Sequence, residues 1–211
     1  MFEFIDSAII KFDNVLRTIL PTWPENHTNN SLPDHVAEAK LSRLEKNAVI
    51  SMMRVNLAGE VAAQGLYKGQ MLFAQDNELK NYFARAAQEE ECHYSWCSQR
   101  LMELEAKPSV FNPLWYYGAF ILGLLAAQLG DKKSLGFVIA TEELVSNHLA
   151  GHLQRLPEQD LRSRAIVAKM YEEELGHALD AEQRGGERLP LLVLNLMHCA
   201  SQVMIKTSSL V

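Results

Sequence analysis

Basic side chains are in the minority in this chain: 20 Lys and Arg stand against 26 Asp and Glu, for a formal net charge of −6. A nucleic-acid-binding surface needs clustered cations to meet phosphate, and this balance argues against one. Cysteine is scarce as well. Cys92, Cys97 and Cys199 are odd in number and form no CxxC pair, which excludes a disulfide framework and a zinc ribbon. A reducing, intracellular compartment is the simplest expectation. No glycine-rich nicotinamide or flavin fingerprint is present, so a reductant is expected to act directly or to come from a partner. No segment alternates apolar and polar residues between hairpin turns, so strands are not expected. The opening Met1-Phe2-Glu3-Phe4-Ile5-Asp6 lacks the positive region and unbroken apolar run of a secretory signal, and it is too acidic for a mitochondrial transit peptide. The expectation is a working protein of a bacterial cytoplasm.

What is present is helix-forming sequence in abundance. The 211 residues are 48% hydrophobic and 22% charged, which suits one globular domain spanning 1–211. Ile5, Ile9, Phe12, Leu16 and Ile19 recur at helical spacing, predicting a helix over 3–20. Pro21, Pro24 and Pro33 then mark an irregular loop over 21–34, so residues 1–35 form an N-terminal helix and loop ahead of a bundle at 36–211. Long segments of helical period follow at 36–75 and, capped by Asp76, at 77–105. Residues 114–130 are nearly all apolar. Gly130-Asp131-Lys132-Lys133 reads as a turn, with Ser134 capping a helix over 135–155. Pro157 sits near the start of a helix over 158–183, and residues 190–206 form a last apolar helix.

Two short stretches carry the chemistry. Glu89-Glu90-Glu91-Cys92-His93 and Glu172-Glu173-Glu174-Leu175-Gly176-His177 each contain Glu-x-x-His, as Glu90 with His93 and Glu174 with His177. Residues three apart share a helix face, so each pair can aim a carboxylate and an imidazole at one point, a donor set suited to iron or manganese. One such pair is a weak signal. Here each is preceded by a glutamate on an otherwise apolar helix: Glu60 lies 30 residues before Glu90, and Glu142 lies 32 before Glu174. A lone acid on an apolar stripe is costly unless it is paired or metal-bound. Two charges about 4 Å apart repel by about 4 kcal/mol at an effective dielectric near 20, a penalty that divalent ions remove. One glutamate from each of two helices with Glu-x-x-His from each of two others is the ligand set of a ferritin-like dinuclear site. The expected fold is therefore all-α: a ferritin-like four-helix bundle with two additional apolar helices. Glu89 and Glu173 stand four residues before the histidines and suit a supporting role, accepting a hydrogen bond from a ligand imidazole. The alternative for these two, and for Glu91 and Glu172, is plain surface charge.

Arg54-Val55-Asn56-Leu57-Ala58-Gly59-Glu60-Val61 with Gln64-Gly65-Leu66-Tyr67-Lys68-Gly69-Gln70 resembles the first ligand helix of the demethoxyubiquinone hydroxylases of ubiquinone biosynthesis. Glu90-Glu91-Cys92-His93, Ala140-Thr141-Glu142-Glu143, His148-Leu149-Ala150-Gly151-His152-Leu153 and Glu173-Glu174-Leu175-Gly176-His177 match in the same order. The likeness runs along nearly the whole chain and is nearest the bacterial members. It implies two iron ions, one held by Glu60, Glu90 and His93, the other by Glu142, Glu174 and His177, with Glu90 and Glu174 able to bridge. Leu57 stands where the family often has His, at a position that is not a ligand. His148 matches a histidine near the site, in a supporting shell or a proton path; no other catalytic residue is implied. His152 reads as structural. The implied reaction puts one atom of O2 on the ring of a 2-polyprenyl-3-methyl-6-methoxy-1,4-benzoquinol.

The apolar runs at 113–130 and 189–205 are open to three readings: a membrane span, a buried core helix, or a helix lying in the membrane interface with Trp115, Tyr116 and Tyr117 near the headgroups. A polyprenyl substrate favours peripheral attachment, on the cytoplasmic face of the inner membrane, with Lys132 and Lys133 available to anionic lipid. Two other functions use similar ligands, an iron-storage or ferroxidase protein and a soluble di-metal oxidase such as a manganese catalase; a metal-free structural bundle is the fourth reading.

Overall fold

The computed structural model describes residues 39–210, and the helix expected over 3–20 and its following loop lie outside them. Among the described residues there are six helices and no strand: α1 Arg43–Phe73, α2 Asn77–Glu103, α3 Asn112–Gln128, α4 Asp131–Arg155, α5 Leu161–Gln183 and α6 Leu191–Ser208. Short connections at 74–76 and 156–160 fold α1 back on α2 and α4 back on α5, giving two antiparallel hairpins. α3 is the crossover between them.

Local chemistry sets the helix ends. Ser42 and Glu45 form a reciprocal capping box, each side chain accepting the other's backbone N–H, at 3.3 and 2.8 Å. Asp76 caps α2 as expected, accepting from the Glu78 N–H. The start of α4 differs from expectation. Gly130, at φ 99°, turns the chain directly into the helix, so Asp131, Lys132 and Lys133 are its first turn rather than a separate turn. Ser134 is therefore not a cap; it is buried inside α4, and its carbonyl accepts from the Gln70 side chain at 2.7 Å. Asp131 in the first turn opposes the helix dipole favourably. α5 begins at Leu161 rather than 158, because Asp160 takes the cap position and accepts from the Ser163 N–H. The buried Arg100 guanidinium fastens that cap to α2, at 3.1 Å from Asp160 and 2.8 Å from Ser163.

α1 is the axis of the molecule. Almost every residue from Val55 to Gln70 is buried, including Glu60, because α2 and α3 cover it on two sides and α4 reaches it on another. α3 lies unusually close. An added Cβ would stand 2.3 Å from the Tyr116 carbonyl oxygen at Gly65, 2.2 Å from that of Phe120 at Gly69, and 2.2 Å from that of Leu66 at Gly123. The apolar run 114–130 is thus two-faced. Tyr116, Phe120, Gly123 and Ala127 pack inward, while Leu114, Tyr117, Ile121 and Leu125 face out. α6 is more exposed still, with Leu191, Leu192, Leu196 and Val203 on the surface. Among the described residues no helix is long and apolar enough to cross a membrane.

Two apolar clusters divide the bundle lengthwise. One contains Met53, Leu57, Trp96, Cys97, Ile166 and Met170; the other contains Tyr67, Phe83, Val138, Ile139 and Ala181. The glutamates at 60, 90, 142 and 174 fall between these clusters along all four long helices. The hydrophobic core thereby brackets a polar centre and keeps water from it.

Candidate metal centre

The structure brings the six sequence-predicted residues together. Glu60, Glu90, His93 and Glu174 form one cluster, and Glu90, Glu142, Glu174 and His177 a second, each with one donor atom per residue and all donors within 4.8 Å of one another. Glu90 and Glu174 belong to both. Each comes from the Glu-x-x-His helix of one hairpin, so the two halves interlock through their shared acids. Glu60, Glu90, His93, Glu142 and Glu174 are each 1% exposed.

Both histidines turn Nδ1 inward. His93 Nδ1 lies 3.2 Å from Glu60, 3.4 Å from Glu90 and 2.9 Å from Glu174. His177 Nδ1 lies 3.5 Å from Glu90 and 3.0 Å from Glu174. Their outer nitrogens meet the supporting acids, but crosswise: Glu173 on α5 takes His93 Nε2 of α2 at 2.7 Å, and Glu89 on α2 takes His177 Nε2 of α5 at 2.9 Å. With Nε2–H donated outward, loss of the Nδ1 proton leaves that nitrogen's lone pair facing the cluster, the tautomer a cation requires. Glu172 is exposed and Glu91 half-buried, and neither joins the clusters. Tyr67 was not singled out by sequence reasoning, yet its hydroxyl donates to Glu142 at 2.5 Å. Its signal was there: it stands seven residues after Glu60, two turns along the same face of α1.

The electrostatics are those of a site short of positive charge. Burial raises the Glu60, Glu90 and Glu142 carboxyls above their usual range, and the Glu174 charge adds to this at all three. Burial also pushes Glu174 up, but hydrogen bonds from His177 and His93 outweigh it and hold that carboxyl below the usual range. Burial depresses both histidines, and their carboxylate partners outweigh it: His93 is raised and His177 reaches about 10. Glu173, bonded to His93, is held down to about 2. Four carboxylate oxygens, one of Glu60, both of Glu90 and one of Glu142, are buried without a hydrogen-bond donor. Oxygen-rich, anionic and unsatisfied, with two imidazoles in reach, this donor set fits a pair of divalent iron or manganese ions.

A sign follows for metal uptake. His177, raised to about 10, holds a second proton at neutral pH in the metal-free protein, and a cation must displace it. Adding ferrous ion to metal-free protein in weak buffer at pH 7 is expected to release protons, read with an indicator dye. Apparent affinity is expected to rise with pH across neutrality. Uptake without proton release would show that the acids and imidazoles are not the ligands.

A cavity of about 460 Å³ opens between α1, α3, α4 and α6. Its walls are mainly apolar, with Leu66, Leu122, Leu144, Val145 and Met204 among them, and Glu60 of the first cluster forms part of its surface. His148 lines this cavity rather than joining the metal clusters, and no hydrogen bond ties it to any of the six candidate ligands. Burial, with the Arg155 charge nearby, lowers it to about 4, so its ring is neutral at pH 7. His152 is buried beside it, the two rings edge-to-face at 3.9 Å, and its Nδ1–H donates to Asn56 Oδ1 at 2.7 Å.

The family model described as ubiquinone biosynthesis protein COQ7 matches residues 47–208. The chain is 46% identical to the 3-demethoxyubiquinol 3-hydroxylase of Ralstonia pickettii (strain 12J), over 95% of this chain and 96% of that protein. It is 44% identical to the protein so named in Legionella pneumophila (strain Paris), over 98% and 97%, and 47% identical to that of Herbaspirillum seropedicae, over 96% of each. Among solved structures, a dodecameric thioferritin from Bacteroides fragilis is similar at a TM-score of 0.46 and 19% identity, covering 65% of this chain and 84% of that one.

Proposed function

The chain belongs to the family of the ubiquinone biosynthesis protein COQ7, and from that premise we propose that it is a di-iron monooxygenase. Its substrate is the ring of 2-polyprenyl-3-methyl-6-methoxy-1,4-benzoquinol, hydroxylated with O2. One observation carries the reading: an apolar cavity large enough for a ring and the first part of a tail has a metal-cluster acid, Glu60, in its wall.

The residues divide the work. Glu60, Glu90 and His93 would hold one iron and Glu142, Glu174 and His177 the other, with Glu90 and Glu174 shared. When bound, the metal pair would supply the activation of O2 that, with two electrons from a reductant and two protons, puts one oxygen atom on the ring and releases the other as water. Glu89 and Glu173 hold the imidazoles in the ligating tautomer. Tyr67 fixes the Glu142 carboxylate by donating to it. The apolar walls exclude water and accept the prenyl chain.

Tail access accounts for the two exposed apolar helices. α3 and α6 flank the cavity and present Ile121, Leu125, Leu196 and Val203 outward. We place these faces on the membrane surface, peripherally, at the cytoplasmic side of the bacterial inner membrane, where a polyprenyl substrate resides. An iron-storage role has no use for a greasy cavity between exposed apolar helices.

Iron-loaded protein mixed with anionic lipid vesicles carrying the quinol, a reductant and isotopically labelled O2 is the test. The protein is expected to sediment with the vesicles, and one labelled oxygen is expected in the extracted ring. Absence of labelled product would defeat the enzymatic reading, and protein left in the supernatant would defeat the peripheral attachment.

A further inference from the structure

Two polar atoms in the cavity region are buried without any partner beyond the metal cluster. Asn56 is 3% exposed, lines the cavity from α1, and has no acceptor for its side-chain Nδ2. His148 lines the cavity from α4, and its Nε2 is likewise buried and unpaired. A partnerless polar group in an apolar wall costs about 1–3 kcal/mol, so two of them beside one cavity require an explanation.

Asn56 stands one helical turn before Glu60 on α1, so both side chains lie along one face. Its amide has a defined orientation. The His152 Nδ1–H is bonded to Oδ1, which directs the NH2 group away from His152. Packing against His148 holds the His152 ring in place.

We propose that Asn56 and His148 are the polar clamp of the cavity: the Asn56 amide donates to one oxygen substituent of the bound ring and His148 Nε2 meets another, while His152 is a positioning residue that fixes the Asn56 amide. A quinol or quinone ring carries oxygens on opposite edges and can satisfy groups from two facing helices. A neutral imidazole can carry its proton on either nitrogen, so His148 serves a ring hydroxyl or a ring carbonyl. The clamp sets the ring's orientation beside Glu60, and the apolar walls serve the tail. This rests on the proposed substrate class and adds which residues recognise the ring.

The test is equilibrium binding, with no turnover needed. Trp115 lines the same cavity, so quenching of its fluorescence reports occupancy. The probes are a demethoxy benzoquinone with a decyl tail and decylbenzene, which has the tail but no ring oxygens. Asn56→Leu and His148→Leu are each expected to weaken quinone binding about tenfold, the cost of leaving a ring oxygen unpaired. Both are expected to leave decylbenzene affinity unchanged, which also shows that the cavity has kept its shape. His152→Leu is expected to behave like Asn56→Leu. His152→Asn, whose amide can donate from the Nδ1 position, is expected to restore quinone affinity. Equal losses for both probes would mean that these groups are structural and would overturn the clamp, as would unchanged quinone affinity in the Leu variants. A wild-type protein that binds decylbenzene but not the quinone would instead overturn the substrate class, and the clamp with it.

Discussion

Metal-free Glu90→Leu protein is expected to unfold at a higher temperature than metal-free wild type, while losing the proposed iron pair and all hydroxylation. Glu90 is 1% exposed and neither of its oxygens has a hydrogen-bond donor. Its pKa is raised by burial first and by the Glu174 charge next, so without metal it opposes the fold. Leucine has a similar volume and suits the apolar clusters on either side. Replacing a buried acid that lacks hydrogen-bond partners by a packed apolar side chain is expected to be stabilising, on the order of the 1–4 kcal/mol seen when buried ionic groups are so replaced. In a chain of this size each kcal/mol corresponds to roughly 2–4 °C in Tm. His93 keeps its contacts to Glu60 and Glu174, so the change creates no new unpaired imidazole. Glu90 belongs to both clusters, so its loss affects both ions. Thermal melts of chelator-treated proteins, with iron counted per chain after reconstitution, read the two effects separately. A metal-free variant that melts below wild type, or one that still binds two irons, would show that Glu90 serves the scaffold instead of the metals.

Gly65→Ala is expected to destabilise the fold and loosen the cavity at once. The new Cβ would sit 2.3 Å from a backbone carbonyl of α3, and backbone cannot rotate aside as a side chain can. α3 must lift from α1, giving up the packing of Tyr116 and Phe120. Overpacking of this kind costs about 1–3 kcal/mol and sometimes more. The cavity shares both helices, so quinol hydroxylation is expected to fall with stability. Gly176→Ala is the internal control. It lies exposed on α5 with nothing within 4 Å of an added Cβ, and it is expected to stabilise by up to about 1 kcal/mol through helix propensity alone. Denaturant midpoints of the two variants should therefore move in opposite directions. A Gly65→Ala protein as stable as wild type would mean that α3 is not seated against α1 as described.

Much of the metal centre was legible because its information is local. Glu90 with His93 and Glu174 with His177 share a face by helical period alone, and Glu60 and Glu142 stand out as acids on apolar stripes. Helix identity followed from the same periodicity. Boundaries were less secure where a cap was misplaced: Ser134 looked like a cap, yet Gly130 could adopt the positive φ that starts α4 earlier.

Periodicity states which way a side chain points around its own helix, and says nothing of what lies across from it. The chain itself therefore determined six ligand candidates, four long helices and two apolar ones. Tertiary packing decided the rest. Glu89 serves the histidine of the other hairpin, and Glu173 does the same in return, because α2 and α5 face each other at the centre. Gly65, Gly69 and Gly123 form a seam only because α3 lies on α1. Asn56, His148 and His152 meet across 96 residues of chain, from Asn56 to its bonded partner, at a cavity that no single helix encodes. Such contacts depend on which surfaces find each other as apolar area leaves water, a property of the whole packed molecule and not of any one segment.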